Sequence, residues 1–557
     1  MSEVLTAAQM RAIEAAAIAS GAVTGLELME RAGAGVVAAL LSEWPEMALT
    51  SQRAVVLCGP GNNGGDGFVV ARLLAGRGWA VEVYLYGDAG KLPPDARVNY
   101  ERWLEVGQVG LLSVPMNLEQ EQRIFDFARS DKTSPCFVID ALFGIGLSRS
   151  IESTENSGLV MLLVNLDDLW MDGGPLTHLV AIDMPSGVCA DSGRILRLND
   201  PTEHCTAEEE DHDPRFFAAQ ASLTVTFHCL KVGQLLAKGP EMCGKLHVAD
   251  IGLGPVKSLA KLTQADIPWP RSLMKRVGHK FSHGHALIVS GDHGHAGAAR
   301  MAARAALRIG AGLVTVASPR GAMAENAARL DAVMLKPVAD AAGLAEVLAD
   351  VRINALCLGP GMGLDEAAAE LVKVALETSR LRVKLGAAQG LRLVLDADAL
   401  TLISRDARLF ALLHEGCVLT PHTGEFARLF PDIAAKLAAP AVKGPAYSKV
   451  DATREAAARA GCVVLYKGAD TVIAAPDGRC SINAAVYDRA APWLATAGSG
   501  DVLAGFITGL LARGFQPMQA AETAAWLHVE CARSFGLGLI AEDLPEELPK
   551  VLRALGV

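Results

Sequence analysis

The chain has 557 residues, 51% of them hydrophobic and 20% charged, and a net charge of −11. That is too long for one hydrophobic core and predicts two to four globular domains rather than a disordered chain. The acidic balance argues against a nucleic-acid partner, and no apolar run reaches the length of a membrane span, since the run Val502 to Ala512 stops at Arg513.

In chain order, the opening "MSEVLTAAQMRAIEAAAIASG" reads as an amphipathic helix without the basic start of a signal peptide. Short apolar runs then alternate with alanine-rich helical stretches. "RAVVLCG", "AVEVYLYG", "CFVIDALFG", "HLVAIDMPSG" and "ASLTVTFHC" read as buried strands of the first half. "HALIVSGD", "AGLVTVASP", "ALCLGPG", "LRLVLDAD", "GCVLTPH" and "CVVLYKG" do so in the second. Strands apolar throughout, with helices between them, predict parallel sheets covered on both faces. The fold class is therefore α/β, with a Rossmann-like three-layer domain over 1–262 and a second α/β domain over 263–557. The break falls in the proline-bearing stretch "IGLGPVKSLAKLTQADIPWPR". The acidic stretch Asn199 to Phe216 reads as an exposed insertion; its spacing fits no metal site. Eleven cysteines without a CxxC spacing read as buried thiols in a reducing compartment, so the expected location is the cytoplasm.

The loop "CGPGNNGGDG" (Cys58 to Gly67) follows a predicted strand and opens a predicted helix. Its backbone N–H groups and the positive helix end suit an anion, as in a dinucleotide loop. Asn62, Asn63 and Asp66 fit that reading poorly, with Asp66 expected in the first helical turn, where it would repel a pyrophosphate. Amide and carboxylate oxygens suit a hard cation or a hydrogen-bonded ring instead. Two further predicted strand ends carry Asp140, before Gly144 and Gly146, and Asp183, before Pro185-Ser186-Gly187. Such aspartates can merely form turns. Two of them beside the Gly-rich loop define one site at the carboxyl edge of an open sheet.

These motifs, with "QMRAIEAAAIASG…LMERAG", "LTVTFHCLKVGQLL" and "GKLHVADIGL", resemble the NAD(P)H-hydrate epimerase domain up to about Leu253. The resemblance implies a potassium ion (K+) on Asn63, Asp140 and Ser186. It implies the hydrated nucleotide on Asn62, Asn63, Gly64, Gly65 and Asp66, on Gly144, Ile145, Gly146, Leu147, Ser148, Arg149 and Ser150, and on Asp183. The segments 151–176 and 194–219 depart from the family pattern and read as insertions. Inverting ring carbon 6 of the hydrate requires proton transfer through a ring-opened or imine-like state. Asp183 is the candidate acid–base, with Asp66 second.

In the second half "TAGSGDVLAGFITGLLARG" opens an apolar helix with a Gly-rich loop and sets Asp501 at its mouth. A carboxylate beside an anion pocket suggests a base acting on a hydroxyl that takes up a phosphoryl group. His422 and Glu425 follow one strand, Asp396 and Asp398 another, and Lys467 to Thr471 sit in a strand–turn–strand that could flank a nucleotide. These stretches, with "SGDHGHAGAARMAARAALRIGAGL" and "LGPGMG", resemble the ADP-dependent NAD(P)H-hydrate dehydratase, from about Pro268 onward. That resemblance implies a ribokinase-like fold and hydrate contacts at Ala298, Gly361, His422 and Asp501. It implies adenine-nucleotide contacts at Lys467, Gly468, Ala469, Asp470, Thr471 and Gly500, with Mg2+ accompanying ADP. The chain departs from the family at "VSGDHG" and "DRAAPWLAT". The expected partners are the hydrated NADH and NADPH and ADP, in a homo-oligomer. A small-molecule kinase fused to a nucleotide-binding regulatory domain is the alternative reading.

Overall fold

The computed structural model describes residues 3–112, 118–131, 133–151, 157–167, 176–197, 218–254, 262–275, 277–385 and 390–557. The stretch Asn199 to Phe216, and most of the segments read as insertions, lie outside the described residues. The chain divides into two compact units, Glu3–Ala260 with Ala439–Ser448, and Lys261–Ala438 with Lys449–Val557. The segment Ala439–Ser448, inside the range read as the second domain, thus clusters with the first.

The first unit is built on a seven-stranded, wholly parallel sheet. In spatial order its strands are Val109–Leu112, Ala80–Tyr86, Arg53–Cys58, Cys136–Ala141, Thr177–Ile182, Leu223–Phe227 and Lys245–Ala249. Arg53–Cys58 is buried at every position, which the period of two explains. Val55 and Leu57 pack with Ile124, Leu159 and Leu163 of the helices Leu118–Arg129 and Ser157–Asp167. Val56 and Cys58 face Gly67 of the helix Asn62–Ala75, on the other side. The chain order reverses direction between Arg53–Cys58 and Cys136–Ala141, so the crevice beyond their carboxyl ends is the switch point where ligands bind in such sheets.

The second unit carries a ten-stranded sheet, in the order Leu262–Gln264, Cys480–Ala484, Asp470–Ala474, Val463–Tyr466, Cys417–Leu419, Arg392–Leu395, Ile353–Leu358, His285–Val289, Leu313–Ser318 and Met334–Pro337. It is not wholly parallel. Asp470–Ala474 runs antiparallel to both its neighbours, because the short Lys467-to-Ala469 connection makes a hairpin and has no room for a crossover. The helices Gly297–Arg308 and Ser499–Ala512 approach closely. A Cβ on Gly505 would stand 2.3 Å from the Ala302 carbonyl oxygen. Small residues permit that approach, and it fixes the Gly-rich loop at the start of Ser499–Ala512. Among the described residues no helix is long and apolar enough to cross a membrane.

Candidate active sites

In the first unit the helix Asn62–Ala75 starts at Asn62, with Gly61 as its N-cap. Asn62 to Asp66 therefore lie within the helix, and Asp66 falls beyond the first turn expected for it. The loop is pinned to the neighbouring strand by the Gly59 N–H donating to the Ala141 carbonyl at 3.0 Å. A Cβ on Gly59 would stand 1.6 Å from the Leu142 carbonyl oxygen, so only glycine fits. Gly144 opens the predicted Gly144–Ser150 turn at φ +52°, with the Asn63 side-chain oxygen 2.5 Å from where its Cβ would be. Asn63 and Gly144 thus meet.

Asp140 is fully buried. It accepts from the Ser186 N–H (2.8 Å), the Ser186 hydroxyl (2.7 Å) and the Leu142 N–H (3.2 Å). Burial raises its carboxyl above the ordinary value, against those hydrogen bonds. Asp183 ends the next strand at φ +65°, a left-handed conformation costly for a non-glycine residue. Its side chain accepts from Lys231 Nζ at 2.9 Å and from the Thr226 hydroxyl at 2.7 Å. Its carbonyl accepts from Gln234 Nε2 at 2.8 Å. Lys231 is fully buried and also donates to Thr226 Oγ1 and to the carbonyls of Phe227 and Cys229. The ammonium is thereby the counter-ion that keeps a carboxylate at a buried sheet edge. Sequence reasoning missed Lys231. Its signal was a lone lysine inside the apolar stretch "TFHCLKVGQLL".

Three carboxylates converge here. Burial and the charges of Asp183 and Glu14 raise Asp66 well above the usual carboxylate range. Glu14, on the helix Ala7–Ala19, is raised to about 7 by burial and by Asp183, offset by Lys231 and Arg11. Of the rest of the predicted turn, Leu147 packs with Ile151, Cys189, Leu196, Ala441 and Ala446. The Ser148 carbonyl accepts from the Gly444 N–H at 3.0 Å, and the backbones of Arg149 and Lys443 pair in an isolated antiparallel bridge. The predicted residues of this site thus lie at the carboxyl ends of three adjacent strands, in the turns after them and in the start of the helix Asn62–Ala75.

In the second unit the helix Ser499–Ala512 begins after Gly498 at φ +88°. Its first turn leaves amides, including those of Gly500 and Asp501, without an intrahelical partner, so they are available as donors to an anion. His528 steadies this start. Its buried ring is lowered to about 4, hence neutral, and donates from Nε2 to the Ser499 carbonyl at 2.9 Å. Asp501 is half-buried, and its carboxyl is pushed up to about 7 by burial and the charges of Asp396, Asp398 and Glu425, against Lys467. Lys467 donates to Asp396 Oδ1 at 2.9 Å and stands 3.7 Å from Glu425. Its nitrogen lies 3.5 Å from where a Cβ on Gly500 would be. The lysine read as a nucleotide contact is therefore tied to two buried carboxylates beneath the anion loop.

His422 is the N-cap of the helix Thr423–Leu429. Its Nδ1 accepts from the Gly424 N–H, and its backbone N–H donates to Glu425 at 2.9 Å. Its ring nevertheless stays largely exposed, so capping and substrate contact are compatible. Gly361, at φ +67°, packs against His295, with Ala298 3.9 Å from its Cβ direction. Gly363 N–H donates to Asp398 at 2.9 Å. Gly468 and Thr471 close the hairpin turn by the Thr471 hydroxyl donating to the Gly468 carbonyl at 2.7 Å. The Ala469 carbonyl accepts from Ala485, and Asp470 pairs with Lys449. Most of these groups follow carboxyl ends of parallel strands or open the helices beside them, while Asp470 and Thr471 begin the antiparallel strand. Lys467 joins Asp396 to Glu425, Glu425 joins His422, and Asp501 feels the charge of Lys467.

Two family models cover most of the chain. One, described as "YjeF-related protein N-terminus", matches residues 25–233, and one described as NAD(P)H-hydrate dehydratase matches residues 286–552. The bifunctional NAD(P)H-hydrate repair enzyme Nnr of Moorella thermoacetica is 35% identical, over 99% of this chain and 97% of its own. The NAD(P)H-hydrate epimerase of Roseobacter litoralis is 43% identical, over 45% of this chain and 100% of its own. Among solved structures, the ADP/ATP-dependent NAD(P)H-hydrate dehydratase of Bacillus subtilis, co-crystallized with ATP/Mg2+, is 26% identical over 51% of this chain and 95% of that one, with a TM-score of 0.40. With a relative this similar along nearly the whole length of both chains, this protein belongs to the family of bifunctional NAD(P)H-hydrate repair enzymes.

Proposed function

We propose that this chain restores hydrated NADH and NADPH. The first site interconverts the R and S hydrates at ring carbon 6. The second dehydrates the S hydrate with ADP, releasing AMP and phosphate. The observation that carries the reading is the pairing, in one chain of this family, of two carboxylate-bearing sites, one built on Asp183 and the other on Asp501.

In the second site the Asp501 carboxylate takes the proton of the ring-carbon hydroxyl as its oxygen attacks the β-phosphorus of ADP, and AMP leaves. The ring-nitrogen lone pair then expels phosphate, and loss of a proton from ring carbon 5 restores the double bond. The amides at the start of Ser499–Ala512, with Lys467 beneath them, face the transferred charge. Ala298, Gly361 and His422 hold the hydrate, and Lys467 to Thr471 with Gly500 flank the nucleotide. Mg2+ bound with ADP would offset its phosphate charge.

In the first site the hydrate lies against Asn62 to Asp66 and Gly144 to Ser150, and Asp183 transfers the proton. Asn63, Asp140 and Ser186 would hold a potassium ion. Asp140 supports this, as a fully buried carboxylate offset only by hydrogen bonds, with no basic side chain paired to it among the described residues. A carboxylate, a hydroxyl and an amide oxygen suit a hard cation. The ion would fix the two strand ends that carry Asp140 and Ser186. We further place the protein in the cytoplasm, as a homo-oligomer. The test is recovery of NADH absorbance from a mixture of hydrated epimers, with ADP and with ATP. Conversion of both epimers with ADP supports the reading. Phosphorylation of a vitamin or sugar in place of NADH recovery refutes it.

A further inference from the structure

The helix Ala7–Ala19 is anchored over the first site. The strand before it, Val4–Leu5, pairs in parallel with Leu230–Lys231, setting Leu5 opposite Lys231. The Ala7 N–H donates to Asp191 at 2.6 Å. Arg11, on the same helix, reaches the Ile145 carbonyl in the Gly144–Ser150 turn at 3.3 Å. Glu14 stands three residues, or about one turn, beyond Arg11. Its carboxyl is close enough to interact with Asp183, Lys231 and Asp66. Asp183 and Asp66 come from the sheet edge and its first helix. Glu14 comes from a separate element that crosses the turn.

We infer that Glu14 is a second proton-transfer group of the epimerase site, acting on the ring-carbon oxygen together with Asp183. The inference rests on the function proposed above and assigns the group that the inversion requires. Asp183 takes the hydroxyl proton. The O–H pair becomes the carbonyl bond to ring carbon 6, and the bond from that carbon to the ring nitrogen breaks. The released pair spreads from nitrogen into the conjugated carboxamide. Rotation about the bond between ring carbons 5 and 6 carries the oxygen to the other face. The nitrogen pair then re-forms its bond to carbon, and the oxygen takes a proton from Glu14. No oxidant or co-reactant is consumed. The reverse epimerisation uses the two carboxyls in exchanged roles, and solvent restores their protons.

Burial and Asp183 raise Glu14 to about 7, while Lys231 and Arg11 pull it down. The acid form is therefore present below about 7 and lost as pH rises through it, with Asp66 and Asp183 as the facing carboxylates and Lys231 and Arg11 as the facing cations. The experiment uses the full chain and purified hydrated NADH of one configuration. Interconversion is followed by chromatography from acidic to alkaline pH, and the uncatalysed rate is subtracted. Glu14→Gln is expected to lower kcat about 10²–10⁴-fold with KM little changed, and to abolish the fall in rate on the alkaline side. Glu14→Asp, which keeps the proton on a shorter arm, restores part of the rate together with that alkaline fall. Wild-type kcat and pH profile in Glu14→Gln would overturn the assignment, as would failure of Glu14→Asp to exceed Glu14→Gln. If the wild-type chain leaves the epimers unconverted, the proposed function itself falls. If it converts them and only the Glu14 variants behave as wild type, the function stands and this inference alone is lost.

Discussion

Replacing Asp501 by asparagine keeps the side chain's size and removes its charge and basicity. Loss of a positioned general base costs about 10²–10⁴-fold in rate, or about 3–5 kcal/mol of barrier. The surroundings make a fold-disrupting explanation testable. Asp501 is raised to about 7 by its partial burial and by the charges of Asp396, Asp398 and Glu425. A carboxyl raised by folding destabilises the folded state when ionised. That penalty grows as pH rises above the ordinary carboxylate value and is complete above about 7. Asp501→Asn should therefore unfold at the same temperature as wild type or higher at pH 8, with the difference fading as pH falls toward 4. The assay is ADP-dependent NADH recovery from the S hydrate, beside epimer interconversion as an internal control. Wild-type dehydration should fall as pH drops through about 7, where the base becomes protonated. Near wild-type NADH recovery in Asp501→Asn would refute the reasoning, and a lower unfolding temperature at pH 8 would refute its electrostatic part.

Asp140→Ala should lower epimerisation and its response to potassium while dehydration of the S hydrate stays normal; absence of any potassium effect on the wild-type rate would remove the ion from the site. Lys231→Met leaves the Asp183 carboxylate buried without its ammonium, so it should destabilise the first unit by about 3–5 kcal/mol and abolish epimerisation. Urea unfolding measures this, and an unchanged midpoint would show that Lys231 is not the counter-ion. Residues 1–262 and 263–557 expressed separately should epimerise and dehydrate, respectively. The first half lacks Ala441 and Ala446, which cover Leu147, Ile151 and Leu196, so it should melt below a version supplied with residues 439–448, and equal melting would show that this cover is energetically idle.

The pattern of apolar runs was enough for the α/β class and for most central strands, because a strand buried on both faces needs a nearly unbroken apolar sequence, as residues 54–58 and 355–358 have. It was enough, too, for the positions of Asp140, Asp183, His422 and Asp501, since glycine- and proline-rich turns after such runs mark the ligand-binding edge. The short strands Val109–Leu112 and Met334–Pro337, half exposed at the sheet edges, carry no such signal and emerged only in the structure. The strand–turn–strand after Tyr466 was legible, but that its second strand runs antiparallel to both neighbours within an otherwise parallel sheet was not. The charges that tune each site were invisible for a different reason. Lys231 reaches Asp183 across 48 residues of chain, Lys467 reaches Asp396 across 71, and Glu14, on the first helix, feels the charges of Asp183 and Lys231. Local sequence determines which segments become strands and turns. Which charges then share one buried, weakly screened space is decided only when the sheet brings distant strand ends together.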